Sequence, residues 1–382
     1  MRLPLGGAIF NQAIQLPAAI NLTLRPVTMN PLEVNLDIIP NSRFQLIDVS
    51  ARIREEAGDC LEEFRKVLYC SFHTTAGYLE QGASARLGNS RKQLDPFFRM
   101  VQRIFPPDAG YFHDRMRLRD ELSEEQKEQE PINADSHLTF IGAGLKNCVT
   151  YLNKPRDPVY FVELDGIYRK VRRQRRTTVL AYNREEIVHR ERVAIPVTGS
   201  HAIDSHNLKD ARYGLFERLE AWLDEFGIER GRIDIRLLPE EKDAGLTVNE
   251  YETLLMRNDL PEALRDPLRY MMRRGRKLLK HPAAIPSKTR DYATYDFIRL
   301  YNEFVDALPL GRSVVDRIAS VLSTPAYRIL RLKRHVSLLV STSEETGPGR
   351  IVQGTYQSPI LVQHSQPERG VRYLDVTFHR FL

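Results

Sequence analysis

The chain has 382 residues, 42% of them hydrophobic and 28% charged, which is enough for two ordinary domains with cores of their own and excludes a disordered chain. A net charge of +6 and a pI near 9.1 point to an anionic partner, either a phosphorylated small molecule or nucleic acid. The three cysteines lack CxxC spacing and no run of 18 apolar residues occurs, which argues against a disulfide framework, a cysteine zinc site and a membrane span, and for a reducing, cytoplasmic setting.

Residues 1–40 are rich in Pro and Asn and show little periodicity. Asn11, Gln12 and Gln15 interrupt the apolar start, so a loose arm or an added strand fits better than a cleaved leader. FQLIDVS then predicts a short strand. ARIREEAGDCLEEFRKV predicts a helix weakened at Gly58. VLYCSFHTTAGYL reads as one long strand or a strand pair. RKQLDPFFRMVQRIF has helical spacing around Pro96 and stops at Pro106–Pro107. LSEEQKEQE is a charged loop or helix, and PVYFVELDG and RTTVLAYN are strands.

From about residue 190 the same order begins again. RERVAIPV is a strand. LKDARYGLFERLEAWLDEFGIE is the clearest helix, with Leu215, Leu219, Trp222 and Phe226 at steps of three and four and Asn207 placed to cap it. GRIDIRLL and AGLTVNE are strands. DLPEALRDPLRYMMRRGRKLLKH is a long basic helical stretch. HVSLLVS, GRIVQGTYQSPILVQ and RYLDVTF are strands. The repeated order predicts an internal duplication of antiparallel units. The expected fold class is α+β, with an extension over 1–40, a first unit over 41–188 and a second over 189–382.

Several motifs in this pattern resemble the YjbQ-type family of secondary thiamine-phosphate synthases. In the first unit they are HTTA at 73–76, YFHD at 111–114, NADSHL at 133–138 and ELDG followed by Arg169. In the second they are AGLTVNEYE at 244–252, RND at 257–259 and GRIVQGTYQ at 349–357. The departures are complementary. The first unit keeps His73 but has Gln81–Gly82 and Gln93 where the family has Asn-Glu and Asp. The second keeps Asn249, Glu250 and Asp259, but has EKDA at 241–244 for HTTA and Arg317 for the NADSHL histidine. Gly354–Gln357 survive in the second unit against KPRD at 154–157 in the first, and Glu163 in the first becomes Gln363 in the second. Complementary losses are what one surviving shared site would leave.

The resemblance therefore implies a composite site of front-half imidazoles and back-half carboxylates. His73, His113 and His137 would bind a divalent metal, zinc or magnesium, with Glu250 as a further ligand or a base and Asp259 supporting it. Three scattered histidines have an alternative reading, as core groups satisfied by hydrogen bonds. Thr74 and Thr75 would hold a phosphate, or simply suit a strand. Asn249 and Asp259 would orient a histidine or the substrate. Glu163 and Gln357 would contact a pyrimidine-like ring, and Arg169 a phosphate. The run RKVRRQRR otherwise reads as a charged edge strand. Neither it nor RRGRKLLKH comes with a nucleic-acid-binding signature, which disfavours nucleic acid. The implied activity joins a pyrimidine diphosphate to a thiazole phosphate. A metal-dependent hydrolase of a phosphorylated small molecule and a non-catalytic scaffold are the rivals. The resemblance also implies a homo-oligomer. The basic insertion at 261–290 has no functional reading.

Overall fold

The computed structural model describes residues 29–197, 203–266, 269–280, 332–343 and 347–382, the side chains of 275–280 and 343 aside. Arg317, most of the N-terminal extension and part of the basic insertion lie outside these residues.

The first half contains β1 (Leu32–Ile38), β2 (Gln45–Asp48), α1 (Val49–Ala57), β3 (Lys66–Ser71), β4 (Ala76–Gly77), α2 (Gln81–Arg86), α3 (Arg91–Ile104), α4 (Glu124–Gln129) and α5 (Ala134–Ala143). β5 (Cys148–Leu152), β6 (Tyr160–Glu163), a hairpin of β7 (Ile167–Tyr168) and β8 (Val171–Arg172), and β9 (Arg175–Tyr182) complete it. The second half contains β10 (Glu185–Pro196), β11 (Asp204–Asn207), α6 (Leu215–Phe226), β12 (Gly231–Leu237), β13 (Ala244–Asn249), α7 (Leu260–Arg265) and α8 (Arg269–Lys280). It ends in β14 (His335–Ser343), β15 (Gly347–Val352), β16 (Ser358–Gln363) and β17 (Val371–Phe381).

The strand orders repeat. The first half forms sheets β1-β9-β3-β5 and β2-β6-β4. The second forms β10-β17-β12-β14-β15 and β11-β16-β13. Position by position the two pairs of sheets agree, with β15 added, and every pairing is antiparallel. The fold is α+β, in two units of one design. The boundary expected at residue 40 falls after β1, which is an edge strand of the first large sheet, and the one expected at 188 falls inside β10.

Local chemistry sets the element ends. Asp48 ends β2 and caps α1 by accepting the Ala51 N–H at 3.0 Å, so the strand expected through Ser50 stops early. Gly58, at φ +67°, ends α1 at Ala57, where the expected helix ran on to Val67. The charged stretch LSEEQKEQE, after α3, folds as α4, held by a reciprocal capping box between Ser123 and Gln126. Asn207 does not cap α6. Its side chain accepts the Lys209 N–H, and the helix begins only at Leu215 after Gly214 in the left-handed region. The basic stretch expected as one helix leaves helical geometry at Asp266, which ends α7 in an extended conformation.

Two of the four apolar clusters lie within single halves. The other two are shared. Leu94, Phe98 and Leu138 of the first half meet Leu255, Ile360 and Val362 of the second. Leu68, Leu180 and Tyr182 on one large sheet meet Leu339 and Phe381 on the other, with the Tyr182 and Phe381 rings stacked at 3.7 Å. Each such buried side chain contributes about 1.5–3 kcal/mol, so the halves are joined by core and not by a linker alone.

Candidate active site

Helix α5 is buried along its whole length and carries His137 inward. Asn133, just before it, and His113, in the loop after α3, are equally deep. The second half meets them with the end of β13 and the turn that follows. His113 Nδ1 lies 3.0 Å from Glu252 Oε2, and its Nε2 lies 3.1 Å from Asn133 Oδ1. Asn133 gives its amide N–H to Asp165, so its oxygen must accept from His113. Both His113 nitrogens therefore carry protons. Burial opposes that charge most strongly, yet the Glu252 hydrogen bond and the field of Glu250 raise the His113 pKa above its ordinary value. Glu252 is itself fixed by the Leu254 and Leu255 N–H groups, each at 2.6 Å.

His137 is in the other state. Its Nδ1 is 2.7 Å from Asn249 Oδ1, an oxygen that also accepts the Glu250 N–H, while Asn249 Nδ2 donates to the Thr74 carbonyl. His137 is thus protonated on Nδ1 and bare on Nε2. Burial, then the charge of His113 at a ring separation of 5.3 Å, lower its pKa to about 3. The bare Nε2 has no hydrogen-bond partner and faces Glu250 Oε2 at 3.6 Å. Burial raises the Glu250 pKa against the opposing charges of His113 and Arg119, while the His137 pKa is lowered, so the two groups are pushed towards each other in proton affinity. Asp259 touches no histidine ring. It accepts the backbone N–H groups of Phe112 and His113 at 3.0 and 2.9 Å and the Tyr270 hydroxyl, which sets the position of the His113 loop.

Glu250 opens onto a cavity of about 830 Å³ that is also lined by His73, Thr74, Thr75, Arg119 and Arg175. Both halves contribute to its wall. Arg119 pairs with Glu121 at 2.7 Å, Glu130 at 3.1 Å and Glu250 at 3.6 Å. Thr75 Oγ1 accepts from Arg175, and Glu163 is wholly buried with both oxygens taken by Arg175 and the Asp165 N–H.

The three-histidine ligand set expected from sequence is not what the fold gathers. His113 and His137 lie ring against ring, but both nitrogens of His113 are engaged. The His73 ring has other partners: its Nε2 accepts the Arg176 N–H at 2.8 Å. Among the described residues no three His, Cys, Asp or Glu side chains gather as metal ligands would. Three expected ligand contacts also have other work. Gln357 donates to the carbonyls of Ser71 and His73 and accepts the Gly354 N–H, so its amide holds the His73 loop. Glu163 is sealed behind Arg175. Arg169 donates to the Glu128 carbonyl and lies over the Tyr168 ring, on a neighbouring cavity.

Sequence reasoning passed over Glu252, Asn133, Asp165, Arg119, Arg173 and Arg175. The first three sit inside the quoted motifs NEYE, NADSHL and ELDG. Arg173 and Arg175 belong to the basic run read as an edge strand. Arg119 carried no signal.

Fold and site together define an α+β protein of two like units sharing one polar, titratable cavity. No protein-family model matches the chain, and no curated protein matches it. Solved structures similar to it include a YbjQ-like protein of unknown function from Sulfolobus solfataricus P2, 14% identical, with a TM-score of 0.27 over 52% of this chain and 99% of that one. A hypothetical protein from Aeropyrum pernix K1 is 16% identical, with a TM-score of 0.26 over 50% and 98%. An uncharacterized conserved protein of the YjbQ family from Clostridium acetobutylicum is 14% identical, with a TM-score of 0.23 over 49% and 98%. No helix among the described residues is long and apolar enough to cross a membrane.

Proposed function

We propose that the chain is a YjbQ-like enzyme, descended from a tandem duplication, that breaks an ester bond of a phosphorylated small molecule in the shared cavity. The observation that carries this reading is the Glu250–His137 pair. A buried bare imidazole nitrogen faces a carboxyl group that opens onto a cavity, and the two come from different halves. Burial that drives two neighbouring groups towards sharing one proton is an arrangement suited to acid–base catalysis.

Glu250 is the group that touches the substrate. As the ester bond breaks, its proton passes to the leaving oxygen. In hydrolysis the attacking water forms the new bond and releases a proton, which the Glu250 carboxylate takes up, so the site is restored. His137 Nε2 is a second resting place for that proton. In thiamine-phosphate formation the attacking thiazole nitrogen carries no proton to release, so Glu250 would be recharged from solvent. The carboxyl–imidazole pair therefore favours hydrolysis, with transfer as the alternative. No step here runs through a metal.

The test is turnover by the full chain of a panel of phosphate esters, alongside the pyrimidine diphosphate and thiazole phosphate pair. Glu250→Gln keeps the shape and removes the acid. It should lower kcat by about 100-fold or more with little change in KM. Unchanged turnover in that variant would sink the assignment.

A further inference from the structure

The His73 ring makes one contact that no hydrogen bond explains. Its Nε2 accepts the Arg176 N–H at 2.8 Å, so the neutral ring must carry its proton on Nδ1. Burial, then the charges of Arg175 and Arg173, keep it neutral by lowering its pKa to about 3. Nδ1 lies 3.5 Å from Arg175 Nη1. Both are donors. Two N–H groups converge with no acceptor between them, on the wall of the cavity that Glu250 also faces.

Arg173 lies on the same wall. Its Nε and Nη2 are taken by the Asp165 carbonyl and carboxylate, at 3.2 and 2.7 Å. A second cavity, of about 710 Å³, shares His73, Arg173 and Arg175 with the first. It adds Arg169 and Arg172, against Glu128 as its one carboxylate. The two cavities share these donors; Glu121, Glu130, Asp165, Glu250 and Glu252 line the first, so the basic side of the donors is the second.

We infer that His73 Nδ1, Arg175 and Arg173 form an oxyanion subsite, which holds the phosphate or carboxylate end of the ligand and leaves its remainder to reach Glu250. His73 acts there as a neutral donor, in place of the metal-ligand role the sequence suggested. A water molecule would satisfy the two donors, but it would not answer the positive field of the adjoining cavity. The inference deepens the function proposed above but stands on different atoms, so the two can fail separately.

The experiment is calorimetric titration of the full chain with inorganic phosphate and, separately, with acetate, against sodium chloride of equal ionic strength. Phosphate should bind the wild type, and His73→Ala and Arg173→Gln should each weaken it about tenfold, the scale of one charge-assisted hydrogen bond. Glu250→Gln should bind it within about twofold of wild type, even where turnover is lost. Tighter binding of acetate than of phosphate would assign the subsite to a carboxylate end. Binding of neither anion, or equal phosphate affinity in wild type, His73→Ala and Arg173→Gln, would overturn the inference. Nitrogen NMR of labelled histidine gives a readout independent of folding defects: the His73 ring should be the Nδ1–H tautomer, and a bare Nδ1 would also overturn it.

Discussion

Asn249 decides more of the chemistry than any titratable group. Its single oxygen accepts hydrogen bonds from His137 Nδ1–H and from the Glu250 backbone N–H, so one side chain fixes the imidazole tautomer and aims the carboxyl group. Asn249→Asp would offer an anion to the same ring, raise the His137 pKa and draw the shared proton from Glu250 to His137. The expected result is a displaced pH–rate profile with KM nearly unchanged, and an unmoved profile would count against the shared proton. Buried neutral histidines also make stability depend on pH. His73 and His137 are held near 3 in the fold, while the unfolded chain takes up those protons near 6.5. Their neutral burial stabilises fully above 6.5 and is lost as pH falls towards 3. Urea unfolding between pH 6.5 and 4.5 should show stability falling with acidity. His73→Gln should flatten that slope by up to about 1.4 kcal/mol per pH unit. His113 has the reverse sign, since its raised pKa stabilises below about 6.5 and the gain fades as pH rises through the folded value.

Among the elements, the loop between β15 and β16 has the clearest mechanical duty. Gly354 lies so close to the Phe72 carbonyl that a Cβ there would collide with backbone. That closeness lets Gln357 reach the carbonyls of Ser71 and His73 and hold the histidine loop from the other half of the chain. Gly354→Ala should cost about 1–3 kcal/mol, as overpacking does, and should weaken catalysis as well. Gln357→Ala should cost about 1–3 kcal/mol through the two buried carbonyls it strands. Calorimetric melting of both variants checks this, and an unchanged Tm in either would refute the clamp. Element types were largely legible, because α3 and α6 show helical spacing of apolar residues and β12 alternates strictly. Ends were less so. Asp48 and Gly58 carry cap chemistry that reads from sequence only once the helix start is known, and Asn207 was drawn into a local turn by the competing Lys209 N–H.

At the scale of the whole molecule, the repeated strand orders set like surfaces against unlike residues. Where the first half has Glu163 holding Arg175, the second has Gln363 in the matching strand, and its Arg372 is held instead by Glu241 at 2.7 Å. The halves also meet at a charged junction, where Glu80 accepts from Lys146 at 2.7 Å and the second half's His335 lies 2.8 Å from the same ammonium group. Coupling across the halves is measurable. A double-mutant cycle on His137→Ala and Asn249→Ala should give about 0.5–3 kcal/mol, and additivity would mean the halves stabilise the site independently. The sequence by itself determined the α+β class, because periodicity and turn residues are local. Only the tertiary structure decided which histidine is charged, which nitrogen is bare, and that His73 faces an arginine instead of its fellow histidines. Those properties depend on burial and on hydrogen-bond partners more than 100 residues away in the chain, as from His137 to Asn249, and no local pattern encodes them.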